Sequence, residues 1–203
     1  KRLVLDKCAI FIIKSNAMIH DFSNTNSIFS TFIAELRDAE IQKDPMRFRR
    51  NLERISEIMA YEVSKKLPFE SREVQTPLGI SKTELISEQP VLATILRAGL
   101  GMHLGLLNYF DRAESAFVSA YRKHSSAEKF DIHVEYMASP KLDNRILILS
   151  DPMLATGSSM ALVYKAILQQ GIPKRVIVVS AIATPTALEH IQKTLPPNTE
   201  YYI

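Results

Sequence analysis

Arg145-Ile146-Leu147-Ile148-Leu149-Ser150-Asp151-Pro152-Met153-Leu154-Ala155-Thr156-Gly157-Ser158-Ser159-Met160 is the stretch that decides how the chain is read. Four consecutive apolar residues, Ile146 to Leu149, have the pattern of a short strand buried on both faces. The run stops at the polar pair Ser150-Asp151 and at Pro152. Apolar residues then return at helical spacing, Met160, Val163 and Ile167, until Gly171 and Pro173 close a helix. A buried strand, a loop of small hydroxyl residues and a helix start together make an anion site. The first helical N–H groups lack partners, and Thr156, Ser158 and Ser159 place hydroxyl donors around them. Gly157 lets the backbone approach a ligand and tolerates positive φ. Asp151 stands at the carboxyl end of the strand, where open α/β sheets bind ligands. A carboxylate repels phosphate, so its natural partners are hydroxyl groups or a metal ion. Phosphate beside hydroxyls is the outline of a phosphorylated sugar. The loop is not a Walker A sequence, because no Lys-Ser or Lys-Thr follows a second glycine. On chemistry alone, a plain capped strand-to-helix turn is the alternative.

A second strand, loop and helix lie upstream. Pro90 to Leu96 is a continuous apolar run, ending in Arg97-Ala98-Gly99-Leu100-Gly101-Met102, and a helix follows through Leu104 to Phe110. It delivers one positive charge among small residues; a glycine-rich turn with a surface arginine is the bland reading. Glu114 to Ala120 reads as a third strand, ending at Tyr121-Arg122-Lys123, with a polar stretch from Lys123 to Lys129. Phe130, Ile132, Val134 and Tyr136 alternate with Asp131, His133 and Glu135, the pattern of a half-buried strand. Val176 to Ile182 is a further apolar strand, Thr184-Pro185 opens a helix to Leu195, and Glu200 to Ile203 begins one more strand. Strands of this kind alternating with helices predict an α/β fold with a parallel sheet flanked by helices.

Toward the N-terminus, Ser23 to Asn26 offers a cap for a helix through Ile28, Phe32, Ile33 and Leu36. Asp44-Pro45 opens the longest helix, with Asp as N-cap and Pro in the first turn. Phe48, Leu52, Ile55, Met59 and Val63 form its apolar stripe; Arg47 to Arg50 reads as a solvated face rather than an anion site. Residues 71–88 read as a β-hairpin arm. His103 reads as structural, and His20, His124 and His190 have no ligand-like spacing, so no metal ligands are assigned.

A length of 203 residues and 46% hydrophobic content suffice for one domain with a sizeable core. A net charge of +3 without a basic stripe argues against nucleic acid as the main partner. The single cysteine excludes an internal disulfide and suits a reducing, cytoplasmic compartment. No apolar run approaches a membrane span. Residues 1–17 look foreign to the rest. Ser15-Asn16-Ala17 before Met18 has the look of a tag-cleavage scar, a genuine N-terminal extension being the alternative. The domain is taken as 18–203.

Asp151 to Ser159 resembles the phosphoribosyl-diphosphate (PRPP) loop of type I phosphoribosyltransferases, and in its Asp-Pro-Met-Leu-Ala-Thr-Gly form that of the uracil phosphoribosyltransferases. That family usually has a second glycine where Ser158 stands; serine keeps a small donor there. Ile95 to Met102 resembles the same family's second signature, in the family's order, and the resemblance spans about Asp21 to Ile203. It implies transfer of phosphoribosyl from PRPP to uracil, giving UMP and pyrophosphate. It further implies a PRPP site at Arg97, Ala98, Gly99, Arg122, Asp151, Pro152, Met153, Leu154, Ala155, Thr156, Gly157, Ser158 and Ser159, with Asp151 and Arg97 acting in catalysis. Mg²⁺ would ride mainly on PRPP. The resemblance also implies a homodimer or higher homo-oligomer and leaves room for GTP as an activator. Uracil contacts are expected after Ile203, where the family carries a base-recognition tail. Ala98-Gly99 is where a cis or strained peptide is expected. The rival readings are a regulator on the same fold that binds RNA or nucleotide, and a structural member that has lost catalysis.

Overall fold

A computed structural model describes residues 18–126 and 129–203, without the side chains of 24 and 121–133. The expected start at residue 18 and the segment 1–17 therefore lie at and outside its limit. The strands are β1 (Met18–His20), β2 (Phe69–Thr76), β3 (Gly79–Ile86), β4 (Val91–Leu96), β5 (Glu114–Ser126), β6 (Lys129–Ala138), β7 (Ile146–Ser150), β8 (Met153–Leu154), β9 (Arg175–Val179), β10 (Ile182–Ala183) and β11 (Glu200–Tyr202). The α-helices are α1 (Ile28–Arg37), α2 (Pro45–Ser64), α3 (Leu100–Tyr109), α4 (Ser158–Ile167) and α5 (Pro185–Gln192). Seven strands form one sheet in the order β1-β11-β9-β7-β4-β5-β6. All pairings are parallel except that of β5 with β6.

Every residue of β7 is buried, as its apolar run requires. Because successive side chains point to opposite faces, one sequence of alternating residues builds two cores. Leu147 and Leu149 join Val91, Ala93, Val176 and Val178 beneath α4 and α5, through Met160, Val163, Ile167, Leu188 and Ile191. Ile146 and Ile148 join Leu92, Ile177 and Val179 on the other face, beneath α2 and α3, through Leu52, Ile55, Met59, Met102 and Leu106. Helix α2 begins as its sequence predicts, with the Asp44 carboxylate accepting from Met46 N and Arg47 N and Pro45 in the first turn. Its arginines form a solvated face: Arg47 pairs with Glu35 and Arg50 with Glu53.

The structure departs from the sequence reading in places that have physical causes. Helix α1 is entered from Ser27 without a side-chain cap, and the preceding 23–26 region instead contributes to a 3₁₀ turn, Phe22–Asn24, held by Asp21. Strand β5 runs on past Ala120, because β6 folds back along it and supplies partners for 121–126. The alternation expected across β6 breaks at an extra residue, Glu135: Ser119 faces Tyr136 while Ala120 faces Val134. This bulge reverses the faces, so Met137 packs on the core and Tyr136 is exposed. The strand from Val176 stops at Val179, and Ile182-Ala183 leaves the main sheet to pair with Met153-Leu154. Helix α5 ends at Gln192, short of Leu195. Short β1 adds a parallel edge to β11. Glu200 ties β11 to β9 through Arg175, whose Nε and terminal nitrogen both donate to Oε1 at 2.8 and 2.5 Å. A third bond from Arg175 reaches the Lys66 carbonyl beyond α2 at 2.6 Å.

Helices α2 and α3 cross so closely that a Cβ on Gly105 would lie 2.1 Å from Ser56 Oγ and 2.3 Å from the Glu53 carbonyl. The backbone of α2 cannot yield as a flexible side chain does, so Gly105→Ala forces the helices apart. Helix propensity alone favours the alanine by about 1 kcal/mol. The expected result is nevertheless a net loss of about 2 kcal/mol from overpacking, read as a fall in Tm of roughly 6 °C; an unchanged or raised Tm would contradict the crossing.

Candidate functional site

The chain leaves β4 and β7, adjacent parallel strands, toward opposite faces of the sheet. After β4 it turns into α3 on one core, and after β7 into α4 on the other. Such a switch point opens a crevice outside the carboxyl ends of the strands. Two loops border it: 97–99 after β4, and 151–157 after β7. Asp151, Met153, Thr156, Gly157 and Ser159 line a shallow cavity there.

Gly157 adopts φ +74°, a left-handed conformation, and starts α4. Its place also demands glycine for room, since a Cβ would meet Ile191 Cγ2 at 2.6 Å and the Ala187 carbonyl at 2.8 Å. Thr156 Oγ1 donates to Ser158 Oγ at 3.1 Å and receives Ser158 N at 3.4 Å, so the hydroxyls gather at the helix N-terminus. The first N–H groups of α4 lack intrahelical acceptors, and its dipole favours an anion there. A single phosphate fits this cradle in charge and donor count.

The Asp151 side chain has no hydrogen-bond or ion-pair partner among the described residues, and burial pushes its carboxyl up to about 7. Its backbone N–H donates to the Val179 carbonyl at 3.2 Å, which anchors the residue while leaving the side chain to the cleft. Arg97 is exposed, and its side chain is likewise unpartnered among the described residues. Arg145–Glu114 and Lys174–Glu88 are among the cations that do have partners. The 97–99 turn closes through Gly99 N to the Ile95 carbonyl at 2.9 Å and Leu100 N to the Arg97 carbonyl at 3.2 Å. The cis peptide bond lies at Leu96-Arg97 rather than at Ala98-Gly99. Ala98 is exposed and Gly99 buried. Arg122 lies on β5, three residues past Ser119, the partner of Leu96, which brings its backbone beyond the end of β4 at the same sheet edge. Its side chain is outside the described residues. Leu154 is buried in the core, so it offers a ligand main chain only, whereas Met153 is exposed. Pro152, Ala155, Ser158 and Ser159 complete the loop. His103 is buried, with Nε2 3.0 Å from Ser115 Oγ, which is the structural role expected of it.

One set of supporting residues escaped the sequence reading. The loop is laced to the segment after β9: Ile182 N donates to the Pro152 carbonyl at 3.1 Å, and Thr184 N to the Leu154 carbonyl at 3.0 Å. Thr184 Oγ1 donates to the Ala155 carbonyl at 2.7 Å while accepting from Ala187 N at 3.1 Å. The Thr184-Pro185 pair signals a helix start in sequence. Its second bond, to a loop 29 residues away, has no local signal.

The sequence model of the family described as uracil phosphoribosyltransferase matches residues 24–203. The chain belongs to the uracil phosphoribosyltransferase family. A uracil phosphoribosyltransferase of Porphyromonas gingivalis is 53% identical over 178 residues, covering 88% of this chain and 82% of that protein. One from Thermococcus gammatolerans is 33% identical over 182 residues, covering 88% and 79%. The solved structure of the AQ2163 protein from Aquifex aeolicus superposes with a TM-score of 0.79 at 26% identity, covering 91% of this chain and 86% of that one. A purine phosphoribosyltransferase from Pyrococcus horikoshii, with a TM-score of 0.51 at 11% identity over 75% of this chain and 83% of its own, shares the fold. In this member of the family the 151–157 loop sits at the switch point of the sheet, with α4 rising from it.

The raised pKa of Asp151 has a consequence for stability in the absence of ligand. Its folded value of about 7 exceeds the ordinary 3.8, so between these values the folded state binds the proton and the unfolded state has released it. Stability from this group is full below about pH 4 and is lost as pH rises to about 7. Asp151→Asn should therefore match the wild type in urea denaturation near pH 4 and exceed it at pH 8. Equal stability of the two proteins at pH 8 would show that the carboxyl is not desolvated.

Proposed function

We propose that this edge carries out the family's reaction, in which uracil displaces pyrophosphate from the anomeric carbon of PRPP to give UMP, a step of pyrimidine salvage. The observation that carries the reading is the meeting of three chemically distinct groups on the ends of neighbouring parallel strands. Donors at 155–159 suit the 5′-phosphate, the unpaired Asp151 suits ribose hydroxyls, and Arg97, unpaired, suits pyrophosphate. The bond from carbon to pyrophosphate oxygen breaks as the bond to the base nitrogen forms and that nitrogen's proton leaves to solvent or to the departing pyrophosphate, through a state with oxocarbenium character, so no protein nucleophile is needed. Catalysis is then orientation and charge placement. The 155–159 loop fixes one end of the sugar, Asp151 holds its hydroxyls and offsets positive charge on the ring, and Arg97 offsets negative charge growing on the leaving group. The planar guanidinium fork matches phosphate oxygens. Arg122 is proposed as a second such contact.

Magnesium fits this donor set through the substrate. Among the described residues no three His, Cys, Asp or Glu side chains gather into a metal site, and Asp151 is the single carboxylate of the candidate set. A cation that keeps several waters and binds phosphate oxygens needs few protein ligands. When bound with PRPP it supplies neutralisation of the pyrophosphate charge. Among the described residues no helix is long and apolar enough to cross a membrane, and phosphorylated substrates retained by cells support a cytoplasmic site of action. A homo-oligomer is supported by the β2–β3 arm, which carries Phe69, Leu78 and Ile80 exposed. The ion-paired arginines of α2 favour the enzyme over an RNA-binding regulator.

Protein that carries the base-recognition segment expected after Ile203, incubated with uracil, PRPP and Mg²⁺, should form UMP and pyrophosphate in equal amounts, and residues 1–203 alone should gain Tm with PRPP and Mg²⁺ without forming UMP; absence of UMP from the former would refute the reading. Arg97→Ala should lower kcat about 100-fold, the size of effect seen when one charge-stabilising donor is removed. Its Tm should stay within about 1 °C, since surface substitutions that break no contact cost little. The pH profile gives an independent check. Ionised Asp151 is the stronger acceptor for ribose hydroxyls and alone offsets positive charge on the ring, so kcat/KM for PRPP should fall as pH drops below about 7, which tracks the free enzyme. A profile flat from pH 5 to pH 8 would remove Asp151 from that role.

A further inference from the structure

We infer that Thr94 and Ser150 form a buried hydroxyl clasp that sets the position of the Arg97 turn relative to Asp151, making both of them positioning residues for phosphoribosyl transfer. The inference rests on the reading of the site given above. Strands β4 and β7 are otherwise apolar at this level, and a hydroxyl buried in such surroundings is costly unless it is hydrogen-bonded. Thr94 is 1% exposed and Ser150 fully buried. Each gives its one proton to the backbone of the other strand. Thr94 Oγ1 donates to the Ser150 carbonyl at 3.2 Å, and Ser150 Oγ donates to the Ala93 carbonyl at 3.3 Å. The backbone ladder that pairs the strands does not require either bond.

The placement of the clasp gives it a use. Thr94 and Ser150 are the last aligned pair of the β4–β7 ladder. Beyond them the strands part toward opposite faces of the sheet, and Asp151 follows one residue later, Arg97 three residues later. Thr94 also touches the turn itself. A Cβ at position 99 would lie 2.1 Å from Thr94 Oγ1, so Gly99 rests directly on this hydroxyl. One side chain therefore contacts the end of β7 and the underside of the 97–99 turn. Ser150 stands next to Asp151, but its hydroxyl faces Ala93, away from the cleft, and so acts through its neighbour.

The reaction separates two ends of one substrate, the ribose at Asp151 and the pyrophosphate at Arg97. Each end binds in the ground state even when their spacing is slightly wrong. Only the bond-breaking state requires both to be correctly placed at once, so a loosened clasp lowers kcat more than it raises KM.

The test uses Thr94→Val, Thr94→Ser, Ser150→Ala and the Thr94→Val/Ser150→Ala double variant of the protein that carries the segment expected after Ile203, comparing kcat, KM for PRPP and Tm. Valine keeps the shape of threonine without its donor, and serine keeps the donor. Thr94→Val and Ser150→Ala should each lower kcat about 10-fold, as small misplacements of reacting groups do, with KM for PRPP within about threefold. Thr94→Ser should return kcat to within about twofold of the wild type. The double variant should lose about as much as the worse single variant, because both hydroxyls act on one spacing. Unchanged kcat in the single variants overturns the inference. So does a Thr94→Ser protein as slow as Thr94→Val, a double loss equal to the product of the two, or a loss that disappears on assay well below Tm. Failure of the underlying reading looks different, since it appears as no UMP from the wild-type protein, and it overturns the clasp with it.

Discussion

Everything at the candidate site depends on the parallel pairing of β4 with β7. Both strands are buried on both faces, and their alternating side chains are divided between two cores. This fixes the register, because a slip of one residue would exchange the two sets of side chains. Parallel strands end at one edge. The chain must then leave β4 for one face and β7 for the other, and the loops that do so part around a crevice. A polar residue just past either strand is thereby brought to the same place, although Arg97 and Asp151 are far apart in the chain.

The charges at that edge differ from the ion pairs that brace other parts of the molecule. Arg175 is satisfied by Glu200 and the Lys66 carbonyl, Arg50 by Glu53, and Arg145 by Glu114. Arg97 and Asp151 have no such partners among the described residues, and Asp151 is held in surroundings that raise its pKa to about 7. A desolvated, unpaired carboxyl is unfavourable for folding and suits a site in which substrate supplies the missing partners. The same partial burial strengthens a hydrogen bond from any ligand hydroxyl that meets it, because water competes less well there.

Rigidity at the loop comes from the neighbouring connection after β9. The carbonyls of Pro152, Leu154 and Ala155 are all tied to the segment 182–184, and Gly157 is pressed against α5. The loop proposed to hold the phosphate is thus built between two strand-to-helix connections, those after β7 and after β9. Thr184 serves both, capping α5 with the oxygen that also donates to the loop.

Much of this was legible from residue types alone. The apolar runs at 90–96 and 146–149 determined buried strands, Asp44-Pro45 determined where α2 begins, and the hydroxyl-rich loop with Gly157 determined a strand-to-helix turn whose left-handed glycine the structure confirms. Those features depend on interactions within a few residues, and for them local chemistry suffices. The resemblance of two motifs added the family. What the sequence did not contain was anything set by partners distant in the chain. The bulge at Glu135 that turns Tyr136 outward, the departure of Ile182-Ala183 to pair with Met153-Leu154, the bond from Thr184 to Ala155 and the Thr94–Ser150 clasp were decided only by the tertiary structure. Each depends on which backbone carbonyl or strand lies opposite, and that is settled only when the sheet assembles.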